Sequence, residues 1–287
     1  MWVFLMLIAA FSQAVKDLYL KRSVAGVEAP VVVWSYCLTT TLFLAPLALR
    51  EGIPALDAGF WTALAVTGPL ASVTLSCYVL ALESSDLSLA APMLTATPLF
   101  LLATSPIMLG ETPDPAGIVG IVCIVGGSYV LNLGHARSGL LGPFRALMRD
   151  KGARLMLLVA FLWSVSANID KIGLLHSSPL FWIMCAFGFT TVCLTPIVWM
   201  LSKRGFGQVR HKPLELAATG FLEAVTCTVQ MYSLTVAIVP YVIAVKRMSA
   251  VFAVLLGWLI LGEGQVRERL SGAALMVLGV FLIALLG

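Results

Sequence analysis

Along this chain, apolar residues come in long runs separated by short polar breaks. A helix needs about 20 mostly apolar residues to cross the hydrocarbon of a bilayer. Runs of that order cover 2–20, 30–49, 59–82, 87–109, 115–133, 154–175, 179–201, 214–238, 240–261 and 268–286. The pattern predicts an all-α polytopic membrane protein with ten transmembrane helices. Most connections are a few residues long, so consecutive helices are expected to run antiparallel. The longest break, 134–153, is basic and glycine-bearing and splits the chain almost in half.

The two halves resemble each other. Leu109-Gly110-Glu111 aligns with Leu261-Gly262-Glu263, Phe100 with Phe252, Gly120 with Gly272 and Gly127 with Gly279, all at an offset of 152 residues. Ala10-Phe11 aligns with Ala160-Phe161, and Lys21 with Lys171. The expected domains are a five-helix repeat over 1–133, the basic inter-repeat loop 134–153, and a second five-helix repeat over 154–287. An odd number of helices per repeat puts the copies in opposite orientations, the inverted-repeat plan of secondary transporters, whose sites lie near the midplane.

Charge sharpens the membrane reading. Hydrophobic residues make up 60% of the chain and charged residues 11%, against about 25% charged in soluble domains. The odd-numbered connections hold most of the Lys and Arg, so the positive-inside rule makes them cytoplasmic. The first run lacks the basic start of a signal peptide and is read as a retained helix. The expected location is the plasma or inner membrane, multi-pass. The six cysteines lie in apolar runs with no CxxC pair and read as packing residues.

Against this background the polar groups inside apolar runs stand out. Lys246 and Arg247 sit side by side within 240–261, and a charge inside a membrane helix costs at least ~2.5 kcal/mol. Such a pair lines a wet cavity that admits an anion, is held by an internal acid, or snorkels to the interface. Glu223 lies near the middle of 214–238, with Thr226 and Gln230 following on the same face. Its expected roles are substrate coordination, proton coupling, or counter-ion to Lys246 or Arg247. At the repeat offset, Ala71 and Tyr78 stand where the second copy has Glu223 and Gln230, and Leu94 and Thr95 where it has Lys246 and Arg247. The charges therefore break the internal symmetry and are not part of the shared scaffold. Asn168 is the deepest of the polar groups ending the sixth run, whereas Lys16, Asp17 and Lys21, ending the first, read as interfacial or locally paired. Pro92, Pro98 and Pro106 interrupt the fourth run and predict a bent helix.

The pattern Thr97-Pro98-Leu99-Phe100 through Leu109-Gly110-Glu111, repeated as Ser249-Ala250-Val251-Phe252 through Leu261-Gly262-Glu263, resembles the EamA-type family of the drug/metabolite transporter superfamily. The resemblance covers essentially the whole chain. It implies ten helices, alternating access and movement of small metabolites without an ATPase. Lys246-Arg247 also resembles the Lys-Arg pair that plastid sugar-phosphate translocators carry on their ninth helix to bind phosphate.

The residues expected to bind substrate are Lys246, Arg247, Glu223, Gln230, Asn168, Tyr78 and Thr95. The expected function is secondary-active transport of a small polar, anionic metabolite. The alternatives are an exporter of cationic or hydrophobic compounds working through Glu223, and a lipid-handling membrane protein. No HExxH, GxSxG or Walker A motif occurs, so neither an enzyme nor a cofactor is expected. The expected partners are a small-molecule substrate, with a proton or counter-substrate as coupling partner, and membrane lipid. No nucleic acid is expected, and the sequence leaves an oligomer open.

Overall fold

The computed structural model describes residues 1–24, 26–84, 91–133, 150–261 and 266–286. Every regular element among them is helical: α1 (Trp2–Val24), α2 (Ala29–Glu51), α3 (Ala58–Ser84), a 3₁₀ segment (Ala91–Ala96), α4 (Thr97–Leu109), α5 (Pro115–Leu133), α6 (Lys151–Leu175), α7 (Pro179–Leu201), a second 3₁₀ segment (Phe206–His211), α8 (Pro213–Leu234), α9 (Val239–Lys246), α10 (Ser249–Leu261) and α11 (Val266–Leu286). Among the described residues, six stretches are long and apolar enough to cross a membrane: Trp2–Val24, Ala29–Glu51, Ala58–Tyr78, Lys151–Leu175, Pro179–Leu201 and Val239–Gly257, the last running through α9 into α10. Met93–Leu109, Pro115–Leu131 and Leu270–Leu285 are shorter apolar helices. Residues 134–149, most of the expected inter-repeat loop, and Glu263 lie outside the described residues.

Proline sets several helix starts. Pro30, Pro98, Pro179, Pro213 and Pro240 occupy the first or second position of α2, α4, α7, α8 and α9. There the missing N–H is no loss, because no intrahelical acceptor exists for it. Pro98 therefore begins a helix where the sequence suggested an interior kink. The bend comes just before it, in the 3₁₀ turn of Ala91–Ala96. The equivalent run in the second copy breaks at the same register. α9 ends at Lys246, Arg247 and Met248 form a turn, and α10 starts at Ser249, the residue that aligns with Thr97.

The chain divides into two compact units. The first comprises Met1–Phe11, Thr74–Asn168 and Val236–Gly287. Its most intimate packing joins α5 to α11. A Cβ built on Gly120 would lie 2.8 Å from the Gly279 carbonyl oxygen, and one on Gly272 would lie 2.7 Å from the Gly127 carbonyl oxygen. The helices meet antiparallel, backbone against backbone, as small residues permit in membranes. Elsewhere in this unit two aromatic pairs form edge-on contacts. Phe11 meets Phe252 at 5.6 Å between centroids, and Phe161 meets Phe100 at 5.5 Å.

We expect Gly279→Ala to separate α5 from α11 and cost about 1–3 kcal/mol, as overpacking does. The new methyl would meet a backbone oxygen, the Gly120 carbonyl at 2.5 Å, which has no rotamer to escape by. Gly126→Ala is the control, since the nearest atom is Leu275 Cδ2 at 3.6 Å. Thermal unfolding in detergent should show a lowered midpoint for the first and an unchanged one for the second.

The second unit comprises Ser12–Val73 and Ile169–Thr235. Here α2 packs against both α7 and α8. Trp34 donates to Thr195 Oγ1 at 2.9 Å, while Gly188 approaches the Thr41 side chain, so α2 and α7 also run antiparallel. Gly220 brings α8 close to α2, and Thr40 donates to the Gly220 carbonyl at 3.1 Å. At one end, Val27, Val31, Val32, Val198 and Leu216 form an apolar cluster under Phe206 and Val209 of the second 3₁₀ segment.

Candidate functional site

The close approach of α8 to α2 at Gly220 carries the next turn of α8, with Glu223, into the interior of the second unit. From α1, Ser12 donates to the Leu222 carbonyl at 3.1 Å. One turn further along α1, Lys16 Nζ donates to Glu223 Oε2 at 2.6 Å. Lys16 and Glu223 are each 8% exposed. The Tyr36 ring faces the ammonium at 5.8 Å, and Cys227 Sγ lies 3.5 Å from Glu223 Oε1. Thr226 and Gln230 are buried on the same helix, in agreement with the shared face read from the sequence. The sequence reads Lys16 as interfacial or locally paired; the structure instead makes it a buried ion-pair partner of Glu223. The two partners stand 207 residues apart, so no local spacing could reveal the pair.

In the first unit, Lys246 closes α9 and Arg247 caps it in αR conformation, both side chains half-buried. The C-terminal end of a helix carries negative partial charge, which favours cations there. Arg247, Met248, Ala250 and Val251 each donate a backbone bond to the residue three before, so the break is a tightened 3₁₀ turn. Such turns inside a longer helical run often mark functional positions. Thr95 is buried in the corresponding 3₁₀ segment. Tyr78 and Leu94 pack against Ala81, Met93, Ala153 and Met156, and the Tyr78 ring lies 6.0 Å from that of Trp163.

Asn168, fully buried in this unit, uses its whole amide. Ser105 donates to Oδ1 at 2.6 Å, and Nδ2 donates to Thr104 Oγ1 at 3.0 Å and to the Ser164 carbonyl at 3.1 Å. This cluster ties α4 to α6. A ligand at Asn168 would have to displace protein bonds already made.

The Leu-Gly-Glu signature acquires a physical role in its first copy. Gly110, at φ 71°, closes α4 in left-handed conformation, and Glu111 then accepts the backbone N–H of Val239 at 2.7 Å. Glu111 thus satisfies a donor at the start of α9 that would otherwise lack an acceptor. Nearby, Tyr241 donates to Asp114 Oδ2 at 2.9 Å. The Gly117 N–H, with Tyr241, holds the Asp114 carboxyl below the usual carboxylate range. In the second unit, the Phe60 N–H and then His176 do the same for Asp57, and Ser202 and Gln208 for Glu28.

Among the described residues, then, long apolar helices enclose an ion pair, a cation pair at a helix break and a satisfied amide cluster. Helices of this length and hydropathy mark a polytopic membrane protein. The EamA-like transporter family matches residues 1–133 and 150–285, and the chain belongs to that family. One solved structure, described only as "Crystal structure of protein", has the same fold: TM-score 0.75 at 16% identity, covering 99% of this chain and 97% of that one. No curated protein matches the sequence.

Proposed function

We propose that this protein is a secondary-active transporter that moves a small polar, anionic metabolite across the plasma or inner membrane by alternating access. The observation that carries the reading is the placement of Lys246 and Arg247, two cations at the tightened break between α9 and α10 in an otherwise apolar stretch. Irregular backbone at membrane depth is tolerated where it lines a cavity or is buried in protein. The Lys16–Glu223 pair supports the anion reading further, because Glu223 already has a cation beside it. It speaks equally against an exporter of cationic compounds built on that carboxylate.

The scaffold we infer is ten helices in two inverted five-helix repeats. Repeat-equivalent contacts support it. Gly120 faces Gly279 while its equivalent Gly272 faces Gly127, and Phe11 meets Phe252 while their equivalents Phe161 and Phe100 meet each other. Contacts made twice with the copies exchanged, between helices that run antiparallel, support an inverted two-fold relation between the copies.

The test is a thermal-stability screen of the purified protein against phosphorylated, carboxylated, neutral and cationic metabolites. A ligand that binds the folded state raises the midpoint, by about 2.7 kcal/mol in stability at a hundred times its dissociation constant. Anions should stabilise the parent and fail to stabilise a Lys246→Ala/Arg247→Ala variant. Stabilisation by cations alone, or equal responses from both proteins, would refute the reading.

A further inference from the structure

A lysine ammonium has three N–H donors. Among the described residues, Lys16 Nζ meets one hydrogen-bond acceptor, Glu223 Oε2, together with the face of the Tyr36 ring. Donor capacity therefore remains on a cation that sits inside apolar helices. Neither side chain is sealed: Lys16 keeps 10% and Glu223 11% of its side-chain exposure. Titratable groups beside the pair include Asp17 on α1, Tyr36 and Cys37 on α2, and Cys227 on α8. The scaffold does not demand the pair, since the aligned residue for Glu223 in the first copy is Ala71. Replacing such a pair with apolar residues is often neutral or stabilising, so packing alone gives it weak justification.

We propose that Lys16 and Glu223 form a proton-released oxyanion subsite, in which protonation of Glu223 frees Lys16 to bind a carboxylate or phosphate oxygen of the substrate. The balance is simple. One proton moves from water to a Glu223 carboxylate oxygen, Lys16 stays an ammonium, and no other covalent bond changes. The resting pair is neutral, and the loaded state, with ammonium, carboxylic acid and one substrate negative charge, is neutral as well. Within the pair, each resting or loaded state balances its own charges, as a low-dielectric interior favours. Proton and anion promote each other's binding by the same factor, so this one pair couples anion movement to a proton moving in the same direction. The inference deepens the anion-transport reading and rests on it for the class of ligand.

The experiment is calorimetric binding of two monoanions, lactate and methyl sulfate, the latter standing for a phosphate ester, to the purified full chain. Each is run at several pH values and in two buffers of different ionisation enthalpy, which counts protons taken up per anion. The expected result is about one proton per anion and an affinity rising about tenfold per pH unit of acidification. Glu223→Gln should bind the anion with no proton uptake and no such pH dependence. Lys16→Arg should keep both, and Glu223→Asp should keep proton uptake, which guards against loss of fold in the more drastic variant. Anion binding without proton uptake in the parent overturns the subsite and leaves the anion-transport reading standing. If neither anion binds at any pH, both fail.

Discussion

Lys16→Met alone is expected to destabilise the folded protein by about 3–5 kcal/mol, because it takes the Lys16 ammonium away from a buried carboxylate. The pair is short, at 2.6 Å, and both members are nearly buried, so water can replace the missing partner only poorly. Glu223→Gln is expected to cost less than Lys16→Met, since the amide oxygen can still accept from the ammonium. The double change Lys16→Met/Glu223→Gln should recover most of the loss, because it removes both charges together. The measurement is a double-mutant cycle of unfolding in detergent, which isolates the interaction between neighbours. A Lys16→Met protein as stable as the parent would show that the pair is solvated in the working protein.

Transport should respond most strongly to the other cations. A Lys246→Gln/Arg247→Gln protein is expected to fold and to lose about a hundredfold or more in affinity for its anionic substrate. Hydrogen bonds to a charged group are worth about 1.5–3 kcal/mol each, and two such losses pass that mark at 1.4 kcal/mol per decade. Fold is expected to survive because both side chains are half-buried at a turn between helices, where glutamine keeps most of their length. Uptake into proteoliposomes, compared with thermal unfolding of the same preparations, separates the two effects. Unchanged transport of the true substrate would remove these residues from the site.

The pattern of hydropathy located the helices well, because bilayer thickness sets a length that any spanning run must meet. α2 and α7 begin within a residue of the expected runs, whereas α6 starts three residues earlier and α8 stops four earlier. Those ends depend on turns, which hydropathy does not describe. The break at Arg247–Met248 was not legible, since the stretch has no proline or glycine between Tyr241 and Phe252. The matching break before Thr97 was half legible, through Pro92 and Pro98.

By itself the sequence determined the helical membrane class, the internal likeness of the two halves, the family signature and the presence of ionisable groups inside apolar runs. These are local properties: a run length, a periodicity, a residue type where its burial is expensive. Only the tertiary structure decided what those groups do. It paired Glu223 with Lys16 across 207 residues, tied up the amide of Asn168 with Thr104 and Ser105, and turned Glu111 into a cap for α9. Partners of this kind are chosen by which helices pack together, and a buried polar group accepts whichever complementary atom that packing brings within reach.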